Sequence, residues 1–307
     1  MFTLRQYLLA LLDSRGLTRT LGEIDVCRDE QGRPCFSAGN SAAVFRIRLG
    51  GRIRSLRCYL RPMRHLKEIY GQRLLEKELY LHTSPETGVW VDTVLGDWIE
   101  GSTLHETVAQ AAALRDRESL QILVRLFDRL ALALVTDDRA HGDLKPENII
   151  VGDDGTLCPI DFDASYLPAF AGEISPELGT AAYQHPARTA ADFDERIDDY
   201  PAALISTALH ALAEDPTLWD RYGSSDGLLY TPQRIASDPA YRETLALFEK
   251  RGMAVQYRIA QLLTAPTLRL FGLAELLAEA VREKPAVRSG TEAETPELFV
   301  ENGRWGY

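Results

Sequence analysis

One polar stretch constrains this chain more than any other part of its sequence. It reads His-Gly-Asp-Leu-Lys-Pro-Glu-Asn over residues 141–148, and the apolar run 149–151 follows it directly. After a Gly-Asp turn comes Cys-Pro-Ile-Asp-Phe-Asp over residues 158–163. A single aspartate or asparagine in such a place usually forms a turn or a helix cap. A site is indicated here because four polar residues keep fixed separations: Asp143, Lys145, Asn148 and Asp161.

The separations match those of a known family. The stretch resembles the catalytic loop and metal-binding motif of the protein-kinase-like superfamily, His-Arg-Asp-x-Lys-x-x-Asn followed by Asp-Phe-Gly. The resemblance implies that Asp143 orients the acceptor hydroxyl and that Lys145 neutralises the phosphoryl group as it moves. It also implies that Asn148 and Asp161 ligate Mg²⁺, a cation that prefers oxygen ligands. Asp163 stands where the family has glycine.

A weaker match lies upstream, between two patterns typical of strands. Residues 37–44 occupy the place of the family's glycine-rich phosphate loop, with Gly39 as their only glycine and Val44 at the position of its valine. Taken alone, the segment is more typical of a plain β-hairpin. Its position favours the phosphate loop, in which small residues let backbone N–H groups approach the phosphates of ATP.

Arg57 stands where the family's nucleotide-binding strand carries a lysine. A guanidinium keeps the positive charge but is longer than the ammonium of lysine and is planar. Arg57 is therefore compatible with both an active kinase and a pseudokinase. Arginine is the usual cation of this chain, which has 29 arginines and five lysines. The acid that would pair with Arg57 is assigned to Glu76 on the first predicted helix, with Glu78 as the alternative. For either acid, an exposed helix face is the other interpretation.

Residues 95–104 resemble the hinge that joins the two lobes of the family. On this alignment the backbone groups of Asp97 and Ile99 bind adenine, and Gly96 takes the gatekeeper position. Glycine is unusual there. Its other interpretation is a β-bulge or turn at the end of a strand.

Gly-Thr-Ala-Ala-Tyr-Gln-His-Pro, over residues 179–186, resembles the end of the activation segment of a Ser/Thr kinase. In that family the threonine, here Thr180, helps to organise the catalytic aspartate and lysine. Ala187 replaces the family's glutamate, which predicts that a buried ion pair with a later arginine is missing. Asp198 is expected to brace the backbone of the catalytic loop, and an ordinary helix N-cap is its alternative role.

Gly142 stands where many regulated kinases carry the arginine that clamps a phosphorylated activation loop. A phosphate on Ser165, Tyr166 or Ser175 therefore has no obvious charged partner near the catalytic loop. We expect an activity that does not require phosphorylation of this segment.

Hydrophobic patterns change about a third of the way along the chain, from short β-rich runs to long amphipathic helices. We predict an α+β, bilobal protein-kinase-like fold, with a small β-rich N-lobe containing one main helix at 66–81 and a larger helical C-lobe. Predicted strands lie at 24–28, 34–37, 43–49, 53–60 and 89–99, and further helices at 119–135, 198–212, 240–251 and 255–263. The predicted domains are an N-terminal helical extension at 1–21, the N-lobe at 22–100, the C-lobe at 101–284 and a flexible tail at 285–307.

Composition excludes several classes of protein. A chain of 307 residues with 45% hydrophobic content can bury a substantial core. A net charge of −11 and a pI near 5.1 argue against bulk nucleic-acid binding. No apolar run approaches the roughly 18 residues that span a bilayer, and the start lacks a basic leader and a cleavage site. The four separated cysteines are interpreted as free thiols. We expect a soluble, cytoplasmic protein.

The resemblance implies ATP- and Mg²⁺-dependent phosphoryl transfer to Ser or Thr of a protein substrate, by a stand-alone bacterial kinase-like protein. One alternative is a pseudokinase that acts as a nucleotide-binding scaffold or regulator. The other is a small-molecule kinase of the aminoglycoside or choline type, which the His-Gly-Asp sequence favours. An acid-lined pocket for such a substrate could include Asp194, Glu195 and Asp199. A partner phosphatase is a family expectation, and no nucleic-acid partner is expected.

Overall fold

The computed structural model describes residues 1–282. The fold is α+β, with an antiparallel sheet followed along the chain by many helices. It divides into two compact units, the first formed by residues 1–99 and the second beginning at Glu100. The predicted tail at 285–307 lies outside the described residues. Within residues 1–282, no helix is both long enough and apolar enough to cross a membrane.

The first unit is built on one antiparallel sheet with the strand order β1-β3-β4-β6-β5, and β2 also pairs with β3. Its strands alternate between two faces. On β3, for example, Ala43, Phe45 and Ile47 are fully buried in the core. The bounds are β1 Asp25–Val26, β2 Phe36–Ala38, β3 Ala42–Leu49, β4 Arg52–Tyr59, β5 Leu74–His82 and β6 Gly88–Asp97.

The N-terminal helix α1, Leu4–Leu12, packs on this sheet and belongs to the same unit. Thr3 and Gln6 form a capping box that satisfies the first backbone N–H groups of the helix. Tyr7 is fully buried, and its hydroxyl donates to the carbonyl oxygen of Tyr59 at 2.6 Å. Residues 1–21, predicted as a separate extension, therefore complete the core of the first unit.

Residues 17–21, which we call the edge segment, run along β5 at the end of the sheet. The N–H of Tyr80 donates to the carbonyl of Leu17 at 2.8 Å, and the N–H of Arg19 donates to the carbonyl of Glu78 at 2.9 Å. A sheet edge otherwise presents unpaired backbone groups. The edge segment thus covers this side of β5.

The prediction of one long helix at 66–81 is wrong. Helix α2 covers only Leu66–Tyr70, and Gly71 ends it with a φ of 54°. The chain then enters β5, where the pairing register with β6 shifts between Leu75 and Leu79. A bulge of this kind breaks the alternation of apolar and polar residues in a strand. The apolar residues are then spaced along the sequence as they would be on one face of a helix.

The second unit is mainly helical. Helix α5 is buried on nearly all sides, which is typical of a central helix, and α4 packs against it. The predicted helices at 119–135 and 198–212 are confirmed as α4 and α5. Within residues 100–282, the helices are α3 Leu104–Ala113, α4 Arg117–Thr136, α5 Asp199–Glu214, α6 Leu218–Tyr222, α7 Pro239–Arg251, α8 Ala254–Leu262 and α9 Leu273–Arg282.

A small antiparallel sheet with the order β7-β8-β9 completes this unit. Strands β8 and β9 form a hairpin in which Ile150 pairs with Cys158. The segments before and after this hairpin carry the polar residues identified in the sequence. The bounds are β7 Gly101–Thr103, β8 Ile149–Gly152 and β9 Leu157–Pro159.

Candidate active site

The loop between α4 and β8 turns sharply at Gly142. Its φ is +80°, and a Cβ added there would lie 2.1 Å from the carbonyl oxygen of Ala164. Only glycine fits this position, which explains the departure from the arginine of the family motif. The preceding His141 is fully buried. Its Nε2 lies 2.8 Å from the carbonyl oxygen of Ile160, while its Nδ1 accepts from the N–H of Asp143 at 3.3 Å.

Asp198 braces this loop, as expected from the sequence. Its two carboxylate oxygens accept hydrogen bonds from the N–H groups of His141 and Gly142, the second at 3.0 Å. The side chain makes no capping bond to α5, so the alternative role as an N-cap is wrong. Burial raises the pKa of this carboxyl, and the adjacent His141 and the two N–H donors oppose that effect.

Asp143 lies at the centre of the polar contacts. Its Oδ1 accepts from the backbone N–H of Thr180 at 2.6 Å, and its Oδ2 lies 3.3 Å from Nζ of Lys145. The same ammonium donates to the hydroxyl of Thr180 at 2.9 Å. Three residues from two distant segments are therefore fixed together. The arrangement suits the positioning of a hydroxyl group beside a positive charge.

Asn148 is oriented toward the same carboxylate. Its Nδ2 donates to the backbone carbonyl of Asp143 at 2.9 Å and to Oδ2 of that residue at 3.2 Å. Because the amide nitrogen is used in this way, the side-chain oxygen is the atom that can serve as a metal ligand.

Asp161 follows Ile160, whose N–H donates to the carbonyl of Asn148 at 2.8 Å. Asp161 has a φ of 68° and a ψ of 62°, in the left-handed region. For a residue other than glycine this conformation costs on the order of 1–3 kcal/mol and often marks a functional constraint. Among residues 1–282, no group of three or more His, Cys, Asp or Glu could hold a metal. A Mg²⁺ at Asn148 and Asp161 would need its remaining ligands from phosphate and water oxygens, and this metal site stays a prediction.

Three of the residues predicted to bind nucleotide, Val44, Arg57 and Gly96, lie on one face of the sheet of the first unit. Val44 on β3 lies directly opposite Arg57 on β4, and Arg57 lies opposite Val94 on β6. Two positions further along the same face, Ser55 lies opposite Gly96. The guanidinium of Arg57 also lies 5.8 Å from the ring centre of Tyr59.

Gly39 lies in the tight turn between β2 and β3. Its N–H donates to the carbonyl of Ala42 at 2.9 Å, next to the paired residues Ala38 and Ala43. The segment is therefore a hairpin. Its interpretation as a phosphate loop remains a prediction.

Gly96 lies within β6, in regular pairing with β4, so the structure shows no bulge at this position. A Cβ added to Gly96 would lie 2.8 Å from the hydroxyl of Ser55. That hydroxyl donates to the carbonyl of Asp97 at 3.0 Å. The absence of a side chain at Gly96 thus leaves room for the side chain of Ser55. Ile99 is the last residue of the first unit.

The assignment of an acid partner to Arg57 needs correction. Glu76 lies on β5 instead of a helix, and its exposed carboxylate is 3.7 Å from Nζ of Lys67. Glu78 is buried and binds the edge segment. Both acids therefore have other partners. The error follows from the helix prediction, because the acid was placed by its position on that helix.

Glu78 holds the edge segment through one carboxylate. Its Oε1 accepts from the N–H groups of Arg19, Thr20 and Leu21 at 3.1, 2.9 and 2.9 Å. Its Oε2 accepts from the hydroxyl of Thr20 at 2.6 Å. Consecutive N–H groups that converge on one anion form a nest. The role of Glu78 in the first unit is thus to anchor the N-terminal residues.

The acids considered for a small-molecule pocket have separate partners. Asp194 accepts from the N–H of Arg196 at 2.8 Å, and Glu195 lies 3.7 Å from the guanidinium of the same arginine. Asp199 is buried and accepts from the N–H of Leu270 at 3.3 Å.

Sequence reasoning missed Arg188, which is buried next to the loop and donates to the carbonyl of Gly142 at 3.0 Å. It belongs to no motif. The one available signal was its position directly after Ala187, where the family pattern had predicted a missing ion pair.

Comparison with known proteins gives distant relatives that are named as protein kinases. The chain is 28% identical over 172 residues to CBL-interacting protein kinase 17 of Oryza sativa subsp. japonica, covering 53% of this chain and 35% of that protein. It is 28% identical over 213 residues to the serine/threonine-protein kinase PknL of Mycobacterium tuberculosis, covering 66% and 52%. PknL of Mycobacterium bovis gives the same values.

The chain thus spans about half the length, or less, of the curated relatives that it matches. No family model matches it. The comparisons therefore show a distant likeness to proteins named as protein kinases.

Proposed function

We propose that this protein transfers the γ-phosphoryl group of ATP to Ser or Thr of a protein, in a reaction that requires Mg²⁺. The observation that carries the proposal is the set of contacts among Asp143, Lys145 and Thr180, at 2.6 to 3.3 Å. The relatives support a protein as the substrate, because both are named as protein kinases.

Each residue has a defined task in this proposal. Asp143 accepts a hydrogen bond from the substrate hydroxyl and aligns it. Lys145 places its charge beside the moving phosphoryl group, and Thr180 keeps both side chains oriented. Asn148 and Asp161 would hold Mg²⁺, which when bound neutralises the phosphate oxygens. Catalysis of this kind consists of positioning and charge stabilisation.

The proposal assigns nucleotide contacts to the first unit. Arg57 would bind a phosphate oxygen, and Val44 would contact the base from the same face of the sheet. Gly39 would let backbone N–H groups approach the phosphates. The hinge residues Asp97 and Ile99 remain predicted contacts to adenine.

The test is transfer of radiolabelled phosphate from ATP to proteins of a native lysate, with and without Mg²⁺. The wild type should label a substrate only with the metal, and Asp143→Asn should abolish labelling while calorimetry still shows binding of Mg·ATP. Asp154→Asn is the matched control, since Asp154 is an exposed aspartate in the turn after β8. Equal labelling by wild type and Asp143→Asn would overturn the assignment.

A pseudokinase is the second candidate, and the placement of Glu76 and Glu78 favours it. Glu76 and Glu78, the two acids predicted to orient the cation at position 57, instead contact Lys67 and the edge segment. Binding of Mg·ATP without transfer to any lysate protein, under conditions in which a control kinase is active, would select this alternative.

A further inference from the structure

Arg188 is 9% exposed and lies behind the loop that carries Asp143. Its Nη1 donates to the carbonyl of Gly142 at 3.0 Å and also to Oε1 of Gln184. Its Nε and Nη2 are buried and make no hydrogen bond to any described residue. Leaving buried donors unpaired is costly, so this arginine is poorly explained as a contribution to stability.

The two peptide groups that flank the Cα of Gly142 are both held. Asp198 accepts from its N–H, and Arg188 donates to its C=O. The C=O of Gly142 belongs to the peptide plane that it shares with the N–H of Asp143, so the hydrogen bond from Arg188 fixes the plane that leads directly into Asp143. Burial lowers the pKa of Arg188, and the charges of Asp198 and Asp143 act in the opposite direction. The guanidinium therefore adds positive charge near both carboxylates, beside the direct contact of Lys145 with Asp143.

We propose that Arg188 is a positioning residue for Asp143, acting through the carbonyl of Gly142. The inference rests on the proposed function, to which it adds a residue outside the catalytic motifs. Position 142 can hold only glycine, because a Cβ would overlap Ala164. The positive charge that the family motif places in the loop itself is here supplied by the segment that follows Thr180.

The geometry also predicts which substitution is tolerated. One nitrogen, Nη1, makes both hydrogen bonds of Arg188. A lysine ammonium, which is a single point donor with three hydrogens, can replace a single nitrogen better than it can replace a bidentate fork. Arg188→Lys should therefore retain the function that Arg188→Met and Arg188→Gln lose.

The experiment measures kcat and KM for Arg188→Met, Arg188→Gln and Arg188→Lys in the full chain. For Met and Gln, we expect kcat to fall by about 10- to 100-fold while KM for ATP and calorimetric binding of Mg·ATP stay within about twofold, because misplacement of a reacting group by about 1 Å costs this much. Lys should recover most of kcat. Arg196→Met is the matched control, since Arg196 is a half-buried arginine that donates to the carbonyl of Val135.

Two results would overturn the inference. One is a wild-type kcat in Arg188→Met or Arg188→Gln. The other is equal loss of activity in the Lys, Met and Gln variants together with equal loss of thermal stability, which indicates a purely structural role.

An inactive wild type would refute the proposed function, and the positioning role can still be tested. The readout is then amide hydrogen exchange at Thr180, whose N–H is bonded to Asp143, compared with Ile160, whose N–H is bonded to Asn148. Arg188→Gln should accelerate exchange at Thr180 and leave Ile160 unchanged, and Arg188→Lys should restore protection. Unchanged exchange at Thr180 would overturn the inference.

Discussion

Two buried acids, Asp198 in the second unit and Glu78 in the first, have different roles. In the second unit, Asp198 reaches across 57 positions of the sequence to hold the backbone just before Asp143. In the first unit, the carboxylate of the buried Glu78 accepts hydrogen bonds from the edge segment instead of pairing with Arg57. Asp198 thus orders a candidate site, whereas Glu78 completes the fold of the first unit. A functional contribution of the first unit therefore depends on Arg57 itself.

The largest expected effect tests that contribution directly. If Arg57 binds a phosphate oxygen, Arg57→Ala should lower phosphoryl transfer by about 10²- to 10³-fold, the usual cost of removing one preorganised electrostatic contact. Arg57→Lys should keep or raise the rate. Arg52→Ala is the control, because Arg52 is exposed on the same strand. Unchanged transfer in Arg57→Ala would show that this cation of the first unit does not contribute to the reaction.

A second prediction concerns pH and the second unit. Asp199 is 3% exposed, and burial raises its pKa from the ordinary 3.8 to about 7. Between these values the folded state binds more protons than the unfolded state, so stability from this group is full below about pH 4 and is lost as the pH rises to about 7. The free energy of unfolding of Asp199→Asn relative to the wild type should therefore rise by about 2–3 kcal/mol between pH 5 and pH 8.

Urea unfolding at pH 5 and pH 8 measures this difference. Asp194→Asn is the control, since Asp194 is exposed. A wild type whose stability relative to Asp199→Asn does not change between the two pH values would contradict the prediction.

A smaller effect is expected at Glu78. Glu78→Gln keeps one oxygen for the three N–H donors but removes the charge that strengthens these bonds. We expect a loss of about 1–2 kcal/mol in the free energy of unfolding, typical for weakening charge-assisted hydrogen bonds. Glu76→Gln should change stability little, because Glu76 is 64% exposed. Equal effects of the two substitutions in denaturant unfolding would show that the carboxylate of Glu78 is not the anchor.

The smallest effect is expected from phosphorylation of the second unit. Ser165, Tyr166 and Ser175 are each 6% exposed, so a kinase reaches them only after the segment opens. The N–H of Ser175 already donates to the carbonyl of Ala190 at 2.8 Å. Phosphatase treatment should leave transfer activity unchanged, as measured by phosphate incorporation before and after treatment. Loss of activity with sites mapped to residues 164–177 would refute the expectation.

The arrangement around Asp143 could be predicted because the four polar residues lie close to one short hairpin. Their separations in the sequence leave little freedom once β8 and β9 pair. Thr180 and Asp198 lie further away, and only the resemblance to a family could connect them with the loop. Arg188 had no such support, since no local pattern distinguishes it from the chain's other arginines.

The first unit was harder to predict for a physical reason. Apolar residues at 74, 75, 79 and 81 fit a helix and a bulged strand equally well, and the choice depends on pairing with β6. The left-handed Lys77, whose N–H donates to the carboxylate of Asp92 at 2.7 Å, marks the irregularity. A contact of this kind joins residues 15 positions apart and has no signature in the local sequence.

The edge segment also bears on self-association. Strand β5 ends the sheet, and residues 17–21 occupy backbone groups that would otherwise be open to another chain. An exposed strand edge is a template for intermolecular pairing and aggregation. The charge-assisted bonds of Glu78 therefore help to keep this edge covered and closed to pairing with another chain. Shortened versions of this protein that begin after residue 21 would carry that open edge permanently.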